Sequence, residues 1–487
     1  MAKQLGILVQ LSLILVNSKS VFSVSLHPKL LVISYDAFRY DYFDKNITPF
    51  MVQMKEEGTD VEYMTNVFVT KTLTNHHSIA TGFYAETHGV LENVILGPEG
   101  FLNNSQELFT YNKNILPIWT INELNGENRH SGMMMWPGSE YKYRRMVVPS
   151  HVMPFNTSMP WRARVDKVIS WFLDEKNPVN FAALYIEEPD AHAHALGTGH
   201  PTIKDLLRKL DDLTQYVHQK LDEHNLQDVN VIHLSDHGMA DVSISKIINI
   251  TELVGKDDYE TVASTSTMFI MPHGGKEHEV YNKLRTAANK TGAFEVWWKH
   301  EIPERYHYGS NSRMSSIFLV SKVGYAFEEL SDAFPYYQSA FNVTISNDSV
   351  FGVHGYDNED RRMHPMFFAR GPAFLSHCKL EPFQNIDLLS LFCNILHITD
   401  CPITNGTLEA FKPCLKEYED PSKDKSVYAA LISMIIVICI VILGTLYYLR
   451  RSREQRYWHA YKQILDDAKM EQLWDDHPDV ETASQKM

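Results

Sequence analysis

The sequence predicts an α/β fold with a largely parallel central sheet flanked by helices, followed by one C-terminal transmembrane helix. Three observations lead there. Short apolar, β-branched runs at 29–35, 180–186 and 230–234 have the length and character of strands buried on both faces. Segments 161–173 and 203–221 carry apolar residues at helical spacing, the second as Leu206, Leu207, Leu210, Leu213, Val217 and Leu221, with charges on the opposite face. Strands alternating with such helices argue a parallel sheet, whose chemistry sits at the carboxyl ends of its strands. Finally, residues 426–449 are almost continuously apolar, bordered by Tyr447 and Tyr448 and then by Arg450, Arg451, Arg453 and Arg456. About 20 such residues span a bilayer, and the basic flank marks the cytoplasmic side.

Taken in order, the chain opens on Lys3, an apolar stretch from Leu5 to Val16, and a small residue at Ser23, which read as a secretory signal over residues 1–23. A catalytic ectodomain is expected over 24–415, a charged stalk over 416–425, the membrane helix over 426–449 and a cytoplasmic tail over 450–487. That makes a single-pass type I protein of the cell membrane. Acceptors for N-linked glycans at Asn46, Asn103, Asn156, Asn249, Asn289, Asn342, Asn347 and Asn405 all precede the membrane segment. Cys378, Cys393, Cys401 and Cys414 can form two disulfides in three pairings, while Cys439 falls inside the apolar run. A formal charge of −15 argues against a nucleic-acid partner. Val296-Trp297-Trp298 and 316–321 suggest further strands in an otherwise hard-to-read stretch from 255 to 350.

Around this frame lies a set of groups suited to one chemistry. The first strand ends at Asp36, the second runs into Glu187-Glu188-Pro189-Asp190, and the third into Ser235-Asp236-His237-Gly238. Asp190 and His194 are four residues apart, so one helical turn aims both at one point. His354 precedes the turn-rich Gly355-Tyr356-Asp357-Asn358. Thr72 follows the apolar run Val67-Phe68-Val69, where a strand is expected to hand over to a turn or helix. A threonine hydroxyl is a poor nucleophile unless a base or metal activates it. Mixed carboxylate and imidazole groups suit zinc, and seven candidate ligands (Asp36, Thr72, Asp190, His194, Asp236, His237, His354) are too many for one tetrahedral ion and about right for two. Two ions ~3.5–4 Å apart can clamp a phosphoryl group in transfer.

The ordered motifs Ser34 to Tyr42, Thr70 to His76, Glu188-Pro189-Asp190 with His194, Ser235 to Met239 and His354 to Asn358 resemble those of the ectonucleotide pyrophosphatase/phosphodiesterase family, in the alkaline phosphatase superfamily. Met135 to Gly138, Met363-His364-Pro365 and Gly371 to Phe374 add to the likeness, which covers residues 28–415 and is greatest to the type I membrane members 4 and 5. The resemblance implies an alkaline-phosphatase-like domain and a zinc-dependent hydrolase of extracellular nucleotides or dinucleotides that releases nucleoside 5′-monophosphates. It implies Asp36, Thr72, Asp236 and His237 around one zinc, Asp190, His194 and His354 around the other, and Thr72 as a nucleophile forming a phospho-threonine intermediate. It also implies Asn93 as a donor to a phosphate oxygen, with Phe155 and Tyr185 lining the nucleoside pocket. Three positions depart from the family pattern: Ala37 for glycine, Leu73 for an aromatic and Thr74 for proline. Leu73 motivates a choline-type phosphodiester as an alternative substrate. Ala37, Thr74 and the tail motivate a catalytically weak adhesion or receptor ectodomain.

Overall fold

Lys29–Tyr35 (β1) is buried along its whole length at the centre of an eight-stranded sheet. The structure, a computed structural model, describes residues 25–97, 100–255, 257–416 and 425–475. The other strands of this sheet are Thr59–Val61 (β2), Ser131–Met134 (β3), His151–Met153 (β4), Phe181–Ile186 (β5), Val229–Leu234 (β6), Phe367–Arg370 (β7) and Cys378–Leu380 (β8). Their order is β8-β2-β7-β6-β1-β5-β3-β4. β1 is parallel to both β5 and β6, and β3 is parallel to β4 and β5; β7 alone runs against its neighbours. Largely parallel is therefore the right description.

Both faces of the sheet are covered, which is why its strands read as unbroken apolar runs rather than as alternations. Leu31, Ile33 and Tyr35 of β1 pack with the helices Trp161–Phe172 and Pro201–Glu223, through Val165, Val168, Ile169, Leu206, Leu207 and Leu210. Leu30 and Val32 face the other way, into a core with Ile79, Trp119, Leu388, Leu391 and Phe392. Residues 255–350, where the sequence signal fades, hold a second sheet of four antiparallel strands, ordered Tyr259–Ala263, Thr267–Pro272, Ile317–Ser321, Phe294–Trp298. The two strands expected there are present and adjacent.

One expectation needs correction. Val67-Phe68-Val69 is buried but forms no strand. Asn75 holds this segment instead, accepting from the Val67 amide at 3.0 Å and donating to the carbonyls of Val69 and Lys71, each at 3.0 Å. A side chain that satisfies the backbone locally removes the need for a neighbouring strand.

The disulfides are Cys378–Cys414 and Cys393–Cys401, which selects one of the three pairings. The chain divides into two units, residues up to 416 and residues from 417. The second contains a continuous helix, Lys425–Asp475, long and apolar enough in its first part to cross a membrane and running without interruption past Leu449. Residues 1–23, and the stalk from 417 to 424, lie outside the described residues.

Candidate active site

The three central parallel strands end at one edge of the sheet, and each passes its chain into a polar turn. Register aligns those ends: Tyr35 lies beside Ile186 and Ser34 beside Leu234, so Asp36, the 187–190 turn and Asp236-His237 emerge together. Asp190 opens the helix Asp190–Leu196, whose pitch brings His194 Nε2 to 3.2 Å from Asp190 Oδ2. His354 follows the strand Val350–Val353, which pairs with Ala240–Ser243 just beyond His237. Its Nε2 is 3.6 Å from Asp190 Oδ1, and its ring stacks on that of His237 with centroids 3.7 Å apart. His237 Nε2 in turn lies 3.2 Å from Asp236 Oδ2, 3.4 Å from Asp36 Oδ1 and 3.1 Å from Thr72 Oγ1.

All seven sequence-selected ligands thus meet in one cluster. Two overlapping groups, Asp36/Asp236/His237 and Asp190/His237/His354, have candidate ligand atoms within 4.8 Å of one another. His237 is common to both.

The donor chemistry fits metal ions. His194 Nδ1 faces the Gly352 carbonyl at 2.8 Å, His237 Nδ1 that of Gly238 at 2.9 Å and His354 Nδ1 that of Thr70 at 2.8 Å. A carbonyl only accepts, so each Nδ1 carries a hydrogen and each Nε2 is the ring nitrogen that faces the cluster, the orientation a metal ligand needs. Asp36 Oδ1, Asp190 Oδ1 and Asp236 Oδ2 are buried with no hydrogen-bond partner. Unpaired buried carboxylate oxygens are costly unless a cation meets them. Burial, then repulsion from Asp236 and Asp190, pushes Asp36 well above the ordinary carboxylate range, and a divalent cation reverses that preference. Burial, then the positive fields of His237, Lys71 and His194, lowers His354 well below the usual histidine value, keeping it neutral and ligand-competent. Burial alone would raise Asp190 and lower His194, but their mutual attraction and hydrogen bond outweigh it in both.

Thr72 is the first residue of the helix Thr72–Thr81, so its hydroxyl sits at the positive end of the backbone dipole, where an anionic phosphate is favoured. Asn93 Oδ1 accepts from the Leu73 amide at 2.9 Å, which fixes the Asn93 side chain beside Thr72. Sequence reasoning left His76 without a role of its own. It is fully buried, with Nδ1 at 2.8 Å from the Thr72 carbonyl and 3.3 Å from Asp236 Oδ2, and Nε2 at 2.9 Å from Ser34 Oγ. Its spacing of four from Thr72 was the available signal. Gly355 has φ +105°, and a Cβ there would come within 2.3 Å of Lys71 Cε, so glycine is required next to His354.

Beside Thr72 opens a cavity of about 150 Å³ lined by Thr72, Leu73, Asn104, Met135, Trp136, Pro137, Glu140, Phe155 and Tyr185. Phe155 is 52% exposed, Tyr185 only 7%, and their ring centroids are 6.0 Å apart. The Tyr185 hydroxyl donates to Asp36 Oδ2 at 2.5 Å, so this ring joins the cavity wall to the ligand cluster. Asn104 and Glu140 were not anticipated as cavity residues; Asn104 is the middle residue of the Asn103 glycan acceptor, and Glu140 lies two residues past Gly138. Larger grooves lie elsewhere, among them one of about 750 Å³ around His218 and Arg370 and one of about 740 Å³ behind His192, and contain none of the seven candidate ligands.

Carboxylates and imidazoles gathered with a threonine at the carboxyl edge of an α/β sheet define the class as a hydrolase with a candidate metal centre. Comparison with known proteins specifies it. Residues 30–357 match the family model "Type I phosphodiesterase / nucleotide pyrophosphatase", and the chain belongs to that family. It is 36% identical over 390 residues to human ectonucleotide pyrophosphatase/phosphodiesterase family member 5, covering 78% of this chain and 77% of the relative. It is 34% identical over 429 residues to the bis(5′-adenosyl)-triphosphatase enpp4 of Xenopus laevis, covering 85% and 88%. Among solved structures, murine member 5, as an inactive threonine-to-alanine variant in complex with AMP, superposes with a TM-score of 0.71 at 33% identity, covering 80% of this chain and 100% of that one.

Proposed function

We propose that this protein is a cell-surface nucleotide pyrophosphatase/phosphodiesterase that uses two zinc ions and Thr72 to cleave extracellular nucleotides or dinucleotides to nucleoside 5′-monophosphates. The observation that carries the reading is that Thr72 belongs to two places at once: it approaches His237 Nε2 at 3.1 Å in the ligand cluster, and it forms part of the cavity wall. Asp36, Thr72, Asp236 and His237 would hold one ion and Asp190, His194 and His354 the other. Bound there, zinc supplies Lewis-acid charge that lowers the pKa of the threonine hydroxyl and offsets charge on the phosphoryl oxygens.

Thr72 Oγ attacks phosphorus, the leaving group departs, and the nucleoside phosphoryl group remains as a threonine ester that water hydrolyses. Asn93, fixed through its Oδ1, turns its amide nitrogen to a phosphoryl oxygen and stabilises charge that grows in the transition state. The Phe155 and Tyr185 rings accept the nucleoside. The inactive AMP-bound murine relative and the triphosphatase name of the Xenopus relative support this choice of substrate. Residues 1–23 act as the signal, 24–415 as the catalytic ectodomain, 416–425 as the stalk, 426–449 as the membrane span and 450–487 as the cytoplasmic tail.

The test is incubation of the purified protein with diadenosine triphosphate, other dinucleotides and nucleoside triphosphates, with zinc or with chelator, followed by chromatography of the products. Release of nucleoside 5′-monophosphate with zinc and none with chelator is expected. Zinc-loaded protein that releases no monophosphate from any of them overturns the reading.

A further inference from the structure

Of the residues that line the substrate cavity, only Asn104 and Phe155 are exposed, so these two form its rim. Each directly adjoins an asparagine in an N-x-S/T acceptor: Asn103, in Asn103-Asn104-Ser105, and Asn156, in Asn156-Thr157-Ser158. Both acceptors are exposed. Consecutive Cα atoms are ~3.8 Å apart, so a bulky glycan on either acceptor would begin one residue from the rim. The Asn156 side-chain oxygen Oδ1 accepts from the Ser158 amide at 3.0 Å and the Ser158 hydroxyl at 2.7 Å, while Nδ2 makes no hydrogen bond among the described residues. Asn103 ends the strand Gly100–Asn103, and its side chain makes none either. At Asn46, by contrast, Nδ2 donates to the Asp44 carbonyl.

We propose that N-linked glycans on Asn103 and Asn156 flank the mouth of the cavity and restrict the enzyme to small diesters and pyrophosphates, keeping polymeric phosphodiesters such as single-stranded DNA away from Thr72. The inference rests on the activity and secretory placement proposed above. In the attachment step, asparagine Nδ2 forms a bond to the anomeric carbon of an oligosaccharide carried on a lipid diphosphate. The anomeric C–O bond breaks, the lipid diphosphate leaves with the electron pair, and Nδ2 gives up a proton. The lumen of the secretory pathway supplies that donor. The device works by obstruction: it leaves contacts to a mononucleotide intact and places bulk where the flanking nucleotides of a polymer must run. It also suits the surface charge, since a chain of formal charge −15 already repels a polyanion at long range.

The test uses full-length protein from a secretory host, as parent, Asn103→Gln/Asn156→Gln and the control Asn289→Gln. Glycopeptide mass spectrometry reads occupancy, and kcat/KM is measured for a chromogenic thymidine 5′-monophosphate ester and for a single-stranded DNA oligonucleotide. The expected result is glycan on both asparagines, an ester rate unchanged in the double variant, and an oligonucleotide-to-ester ratio raised about tenfold, the scale on which a steric contact discriminates substrates; the control leaves the ratio as it was. Unmodified Asn103 and Asn156, or an unchanged ratio, overturns the proposal. Failure of every form to hydrolyse the ester instead overturns the activity reading, and the glycan role with it.

Discussion

At the scale of single residues, Ala37, expected to stand where relatives have glycine, has a physical consequence. Ala37 is fully buried beside Asp36 with φ +56°, a left-handed conformation that disfavours any residue with a Cβ. Its amide donates to Asp236 Oδ1 at 3.2 Å, which ties this conformation to the ligand cluster. Ala37→Gly is therefore expected to stabilise the protein by about 1 kcal/mol in denaturant unfolding, with no loss of metal content. A decrease in stability would show that the methyl group contributes packing that outweighs the strain. The candidate ligands were legible from the sequence because their residue types are chemically restrictive and their spacings match strand ends and one helical turn. The Asn75 clamp, the His76 bridge and the Tyr185–Asp36 hydrogen bond were not, because each joins groups whose meeting depends on tertiary approach.

At the scale of elements, the parallel strands and the two long helices could be read because burial on both faces and amphipathic spacing leave one-dimensional signals. Observed bounds Phe181–Ile186, Val229–Leu234, Trp161–Phe172 and Pro201–Glu223 differ from the expected ones only at their ends. The second sheet was faint because its pairings are antiparallel and the central one, Thr267–Pro272 with Ile317–Ser321, skips the strand Phe294–Trp298 that lies between them in sequence. Near it, the short helix Glu329–Asp332 carries a carboxyl, Glu329, pushed up to about 7 from 4.5 by burial, with Glu328 and Asp332 adding repulsion against the opposing backbone hydrogen bond. The unfolded chain loses this proton near pH 4.5 while the folded chain keeps it to about pH 7, so folding binds a proton across that window. Stability attributable to Glu329 thus falls as pH rises from 4.5 to 7 and is level above, by roughly 2–3 kcal/mol in all. Glu329→Gln is expected to flatten this part of the stability profile measured by unfolding at stepped pH; an identical slope in the variant would refute the assignment.

At the scale of the whole molecule, one unit, up to Lys416, carries the α/β domain with the candidate site, and the other, from Glu417, carries a single long helix. Past the apolar stretch the helix continues through Arg450 to Asp475 without a break, because nothing between Leu449 and Asp475 is proline or glycine. The account turns on Thr72, the residue shared by the ligand cluster and the cavity. Its most direct test is the rate of hydrolysis of a chromogenic thymidine 5′-monophosphate ester by zinc-loaded parent and Thr72→Ala proteins, with zinc content measured on both. The account predicts that Thr72→Ala retains zinc on the six remaining side chains while kcat falls by roughly three orders of magnitude or more, as expected when a nucleophile is removed. A zinc-containing Thr72→Ala protein within about tenfold of the parent, a loss too small for a missing nucleophile, would contradict it.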